Sequence, residues 1–163
     1  MKKPACLVAG LGLAAALAAP AGAQLLTHKD LSLETALKIA TTAEETCKAR
    51  GYRVSVTVVG RNGEVIVLLR GDDAPPHTVE NSRRKAYTAR TFRISSGQFA
   101  ERVKNNPTIG LVHLSGVIAN QGALPIKSGD EVIGGVGVSG SPGGDKDEAC
   151  AKAGLDKVAD QLK

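Results

Sequence analysis

Apolar residues recur at Leu33, Ala36, Leu37, Ala40, Ala43 and Cys47, the three-and-four spacing of one helical face. They predict a helix from Leu31 to Arg50, capped by Asp30 or Ser32 and ended by Gly51. The period then changes to two: Val54, Val56 and Val58 alternate with Ser55 and Thr57 between Arg53 and Gly60, which reads as a strand buried on one face. Arg61-Asn62-Gly63 is a turn, and the more apolar run Glu64 to Arg70 completes a β-hairpin. After the acidic, Pro-Pro loop Gly71 to Pro76, Thr78 caps a predicted helix to about Phe92, with Val79, Ala86, Ala89 and Phe92 as its core stripe. A short helix follows from Ser96 to Lys104, stopped by Asn105-Asn106-Pro107. Ala123 to Lys127 and Val132 to Ser139 read as a second hairpin through Ser128-Gly129-Asp130, and Asp145 to Leu162 as a last helix. The order α-ββ-αα-ββ-α, with hairpins between helices, predicts a single α+β domain whose antiparallel sheet is packed by helices.

The length of 163 residues agrees with one domain. The beginning of the chain reads differently from the rest. Lys2 and Lys3, the apolar run Cys6 to Ala19 and the small residues Pro20-Ala21-Gly22-Ala23 predict a secretory signal over 1–23, leaving 24–163 as the mature domain in the periplasm or outside the cell. No apolar run reaches the roughly 20 residues that span a bilayer, which disfavours a transmembrane segment. Loss of Lys2 and Lys3 lowers the net charge from +5 to +3, too mild a bias to demand nucleic acid or a membrane surface. Two tyrosines, two phenylalanines and no tryptophan leave almost no platform for base stacking. Export would put Cys47 and Cys150 in an oxidising compartment, where they are either one disulfide or two free thiols on helix faces; spacing alone does not decide between these.

Gly135-Val136-Gly137-Val138-Ser139-Gly140 matches G-x-G-x-x-G, but no helix opens at once behind it and no later strand follows, so a dinucleotide site is excluded. These glycines predict close backbone approach, as a pocket floor or a subunit contact. Asp72, Asp73, His77 and Glu80 gather at the loop-to-helix junction, either as ligands for iron or another divalent ion or as a polar loop with a helix-start carboxylate. Arg83, Arg84, Lys85, Arg90 and Arg93 put five cations on one helix, which is either an anion-binding face or a solvated one. No nucleophile with a base at fixed spacing is visible, and no catalytic residue is assigned.

Arg70-Gly71-Asp72-Asp73-Ala74, Pro76-His77-Thr78, Ser82 and Lys85-Ala86-Tyr87-Thr88-Ala89 together resemble the haem-binding GlcG/HbpS-like family. The likeness continues through N-Q-G-A-L-P-I at Asn120 to Ile126, the G-G-V-G-V-S-G run, and D-E-A-C-A-K-A-G-L from Asp147 to Leu155. It implies a central five-stranded antiparallel sheet, self-association into homo-oligomers and, in several secreted members, haem or iron binding. Arg70, Asp72, Ser82, Lys85 and Thr88 fall on motif positions and are the anion or small-ligand candidates, and His77 matches a histidine of a subset. Two positions depart from the family's pattern, which commonly has an acid where this chain has Gly60 and a glycine where it has Asp73.

Haem requires an axial donor, an apolar slot and cations for its propionates. The leading expectation is therefore an exported oligomeric haem- or iron-binding protein with His77 as ligand, or His113 or His28 in its place, and with Arg83, Arg84 or Arg90 near the propionates. One alternative is a small-carboxylate or corrinoid-related enzyme or accessory factor with Lys85 and Arg70 as anion clamp and Asp72 as acid or base. Another is a ligand-free assembly protein.

Overall fold

The computed structural model describes residues 24–163; the predicted signal over 1–23 lies outside the described residues. The elements follow the expected order, α1 (Leu33–Lys48), β1 (Ser55–Val59), β2 (Val65–Arg70), α2 (His77–Phe92), α3 (Ser96–Asn105), β3 (Ala123–Ser128), β4 (Glu131–Ser139) and α4 (Gly144–Lys157). Helix α1 starts where Ser32 accepts a hydrogen bond from the Thr35 N–H, and α3 starts in a capping box between Ser95 and Gln98. At α2 the expectation fails by two residues. Pro76 is the N-cap, while Thr78 lies inside the first turn and donates to the Pro75 carbonyl at 2.7 Å.

The four strands form one antiparallel sheet in the order β2-β1-β4-β3. The resemblance implied five. Between α3 and β3 the backbone around Val117 and Ile118 bonds to Arg84 and Thr88 of α2 rather than to a strand. Helices α1 and α4 cover one face of the sheet, where Ile39, Ala40, Ala43, Val54, Val56, Val58, Val136 and Val138 make the apolar core. Cys47 and Cys150 form a disulfide that ties α1 to α4 across this layer, which resolves the choice left open by the sequence.

Helix α2 covers the other face, so β1 is buried on both sides rather than one. Ser55 and Thr57, the residues that read as solvent-facing, instead share hydrogen bonds with Thr78 (2.7 Å) and Ser82 (2.8 Å) of α2. The stripe that α2 turns inward is Thr78, Ser82, Lys85, Ala86, Thr88 and Ala89, more polar than the predicted one. Its close approach explains the glycine run. A Cβ on Gly137 would stand 2.3 Å from the Ser82 carbonyl oxygen, and one on Gly135 2.4 Å from that of Ala86. What packs on the glycine strand is this chain's own helix, and that space is closed to a flat ligand or a second subunit.

Candidate functional site

The site begins at the end of β2. Arg70 donates from Nε (3.0 Å) and Nη2 (2.5 Å) to the Ala74 carbonyl, closing the loop that delivers Pro75, Pro76 and then His77. Asp73 in this loop, where the resemblance implies a glycine, has φ +57°, a left-handed conformation that Asp tolerates and Gly adopts freely. His77, Asn81 and Lys85 follow at intervals of four on one stripe of α2. The His77 ring is exposed, Asn81 donates to Ser139 Oγ at 2.9 Å, and Lys85 is only 2% exposed.

A lysine at that depth needs a carboxylate, and Asp147, in the first turn of α4, supplies it. Lys85 Nζ donates to Asp147 Oδ2 at 2.8 Å and to the Val138 carbonyl at 3.1 Å; the other carboxylate oxygen accepts the backbone N–H (3.0 Å) and hydroxyl (2.6 Å) of Ser141. The pair depends on Gly122, whose φ is +132° and where a Cβ would come 2.8 Å from both Lys85 Nζ and Asp147 Cβ. Above the pair opens a cleft of about 220 Å³ bordered by His77, Asn81, Asn120 and Ser141, at the starts of α2 and α4. Its lining is polar, so it suits a carboxylate or a similarly small polar group.

The other candidates are dispersed. Ser82 is occupied by Thr57, and Thr88 accepts the Ile118 N–H at 2.9 Å while donating to the Arg84 carbonyl at 2.8 Å. Arg70 and Lys85, the expected anion clamp, are committed to the β2 loop and to Asp147, and of the small-ligand candidates Arg70, Asp72, Ser82, Lys85 and Thr88 only Lys85 borders the cleft. The expected metal set is also drawn apart. Asp72 faces Lys48 (3.8 Å), Asp73 faces Arg53 (3.7 Å), and Glu80 holds Arg83 at 2.8 Å. The Arg83 hydrogen bond keeps the Glu80 carboxyl below its ordinary range. Among the described residues no group of three or more His, Cys, Asp or Glu side chains is assembled for a metal.

The three histidines occupy separate regions. His28 lies near Glu131, whose carboxyl is lowered chiefly by the Arg61 hydrogen bond, with smaller pulls from charges that include His28. Strand β4 carries the chain about 27 Å from there to Ser139 beside the cleft. Exposed His113 ends a short 3₁₀ turn, three residues before Gly116, which packs on Tyr87, about 15 Å along α2 from His77. Of the arginines, Arg84 donates from Nη2 to the Val117 carbonyl at 2.6 Å, and Arg90 is about 20 Å along the helix from His77. Arg90 thus borders a different cleft from His77, toward the other end of α2.

Asp147, Ser141, Asn120, Asn81 and Gly122 were not singled out as site residues from sequence. Asp147, Asn120 and Gly122 lie within the stretches that carry the family likeness, and the signal that could have found Asp147 is a lysine placed on the sheet-facing stripe of α2. The family's missing acid at Gly60 has a local counterpart, because the Glu64 carboxylate folds back to within 2.2 Å of where a Cβ on Gly60 would be.

A single antiparallel sheet between helices, with a polar cleft where α2 and α4 start, defines a small α+β domain. A family model described as "Haem degrading protein HbpS-like" matches residues 31–156, and the chain belongs to this haem-related HbpS-like family. It is similar to the protein GlcG of Escherichia coli K12, 32% identical over 109 residues that cover 67% of this chain and 81% of that one. The solved structure of HbpS superimposes with a TM-score of 0.79 at 38% identity, covering 85% of this chain and 96% of the other. A PduOC:haem complex superimposes with a TM-score of 0.72 at 25% identity, covering 78% and 94%.

Proposed function

We propose that this is an exported, self-associating haem-handling protein that binds haem through His77 at the mouth of the polar cleft. The observation that carries the reading is His77 itself, an exposed imidazole at the start of a cationic helix, in a haem-related family. The chemistry that haem supplies when bound is an iron open to an imidazole nitrogen. Arg84, seven residues along the helix, is the arginine suited to a propionate, because Arg83 is neutralised by Glu80 whereas Arg84 donates to the uncharged Val117 carbonyl. The cleft is too small and too polar for the macrocycle, which would lie across the surface and need an apolar cover. A second copy of the chain is the cover in this reading, and self-association is therefore part of the binding function. The Cys47–Cys150 disulfide supports export, since such bonds persist in oxidising compartments.

The size and polarity of the cleft favour a second reading, in which the ligand is a small organic acid seated over Lys85 and Asn120. A haem titration followed by absorbance separates the two. The haem reading predicts a saturable Soret shift that His77→Ala abolishes while His28→Ala and His113→Ala retain it. Absence of a saturable shift in the wild type refutes it and leaves the organic-acid reading, and an unchanged shift in His77→Ala refutes ligation by His77.

A further inference from the structure

We infer that a second cleft, built around Arg90 and Tyr87 on α2, is a binding site for a small oxyanion, a phosphate or carboxylate group. This cleft of about 310 Å³ is bordered by Arg61, Asn62, Gly63, Tyr87, Arg90 and Thr91. Its chemistry starts from an unsatisfied donor. The Arg90 Nε is buried and has no hydrogen-bond partner among the described residues. Buried N–H groups are almost always paired, and one carried by a guanidinium is costly to leave bare.

The residues around Arg90 do not neutralise it. Arg61 and Arg93 repel it, and Glu64 is the acid whose charge favours it. The Glu64 carboxylate is already engaged, accepting the Asn62 N–H at 2.9 Å. Burial first, and then the charges of Arg93 and Arg61, lower the proton affinity of the Arg90 guanidinium, against a smaller opposing effect of Glu64. Arg61 cannot be that cleft's main anion donor. It is bound to Asp30 (3.0 Å), to Glu131 (2.6 Å) and to the Lys29 carbonyl, so it acts as a fixed wall.

The cleft is also preorganised. Gly63 and Gly116 confine the Tyr87 ring: a Cβ on Gly63 would stand 2.5 Å from Cε2, and one on Gly116 3.3 Å from Cδ1. On the sheet side Arg90 lies against Gly135, where a Cβ would come 3.2 Å from Arg90 Cβ and from its backbone N. Arg90 is thereby seated on the sheet, with Tyr87 and Thr91 beside it in the lining of the cleft. A planar guanidinium recognises an oxyanion by paired hydrogen bonds. The cleft shares no lining residue with the one at His77, so the inference does not rest on the haem reading.

The test is a titration of the whole protein with inorganic phosphate and, separately, with acetate, each matched in ionic strength by sodium chloride and followed by NMR at the Arg90 Nε–H and the Asn62 and Thr91 amides. A saturable shift with either probe is expected, and the better probe identifies phosphate or carboxylate as the recognised group. Arg90→Gln should weaken binding roughly ten-fold or more, Arg90→Lys should retain part of it, and Arg93→Gln should leave it unchanged. A response that never saturates with either probe, or a curve shared by wild type and Arg90→Gln, overturns the inference.

Discussion

Lys85 and Asp147 sit 2% and 3% exposed, and burial of that degree makes each group depend on the other. Removing one partner leaves an uncompensated charge in a medium that solvates it poorly. Lys85→Ala is therefore expected to destabilise the fold by about 3–5 kcal/mol in urea denaturation, whereas Lys85→Met with Asp147→Leu should recover most of that loss. A residue whose role was only to clamp a ligand would lose binding at unchanged stability. Glu148 tests a different environment. Burial raises its carboxyl above the ordinary value, against a smaller opposing effect of a hydrogen bond from Gln121, and its Oε2 lacks a partner. The folded state then holds the Glu148 proton more tightly than the unfolded state does. Its contribution is fully present below the unfolded carboxyl value and is lost as pH rises through the raised folded one. Denaturation measured across that range should show stability falling with pH at this group, and Glu148→Gln should flatten the fall.

The central element is α2, because its inner stripe meets the sheet through hydroxyls, alanines and a lysine rather than through large apolar side chains. Close approach replaces bulk. Gly137→Ala would drive a methyl group to within 2.3 Å of the Ser82 carbonyl and should cost about 2–3 kcal/mol or more by thermal or urea unfolding. Gly110→Ala meets nothing within 4 Å and should stay within about 0.5 kcal/mol of wild type, so equal effects of the two would contradict the packing described here. The same chemistry set what was legible in the sequence. Helix α1, the hairpins and α3 are marked by periodicity, caps and Asn-Gly or Asn-Pro punctuation, which are local properties. The inward face of α2 was misread because Ser55, Thr57, Thr78 and Ser82 count as polar one at a time and become core only as hydroxyl pairs. The cleft was half legible for a related reason. His77 and Lys85 stand out on their helix, but Asp147, Ser141 and Asn120 reach them from far along the chain, and only the fold brings them together.

For the whole molecule, family membership and the four-stranded α+β fold agree, and one disulfide joins α1 to α4 across a sequence separation of 103 residues. A link that closes so long a loop restricts the unfolded chain strongly, by about 4–5 kcal/mol in the entropic account. Among the described residues no helix is long and apolar enough to cross a membrane. Among the described residues the cleft at His77 is small and polar and does not enclose a porphyrin. The haem reading consequently joins two properties, ligation by His77 and cover by another copy, that have to appear together. Sedimentation velocity of the haem-loaded protein, recorded at the Soret band and at a protein wavelength in the same run, tests that link most directly. The account predicts that Soret absorbance sediments with a species larger than one chain, and that His77→Ala removes it without unfolding the protein. Soret absorbance that travels with a single chain, or that remains at full strength in His77→Ala, would contradict it.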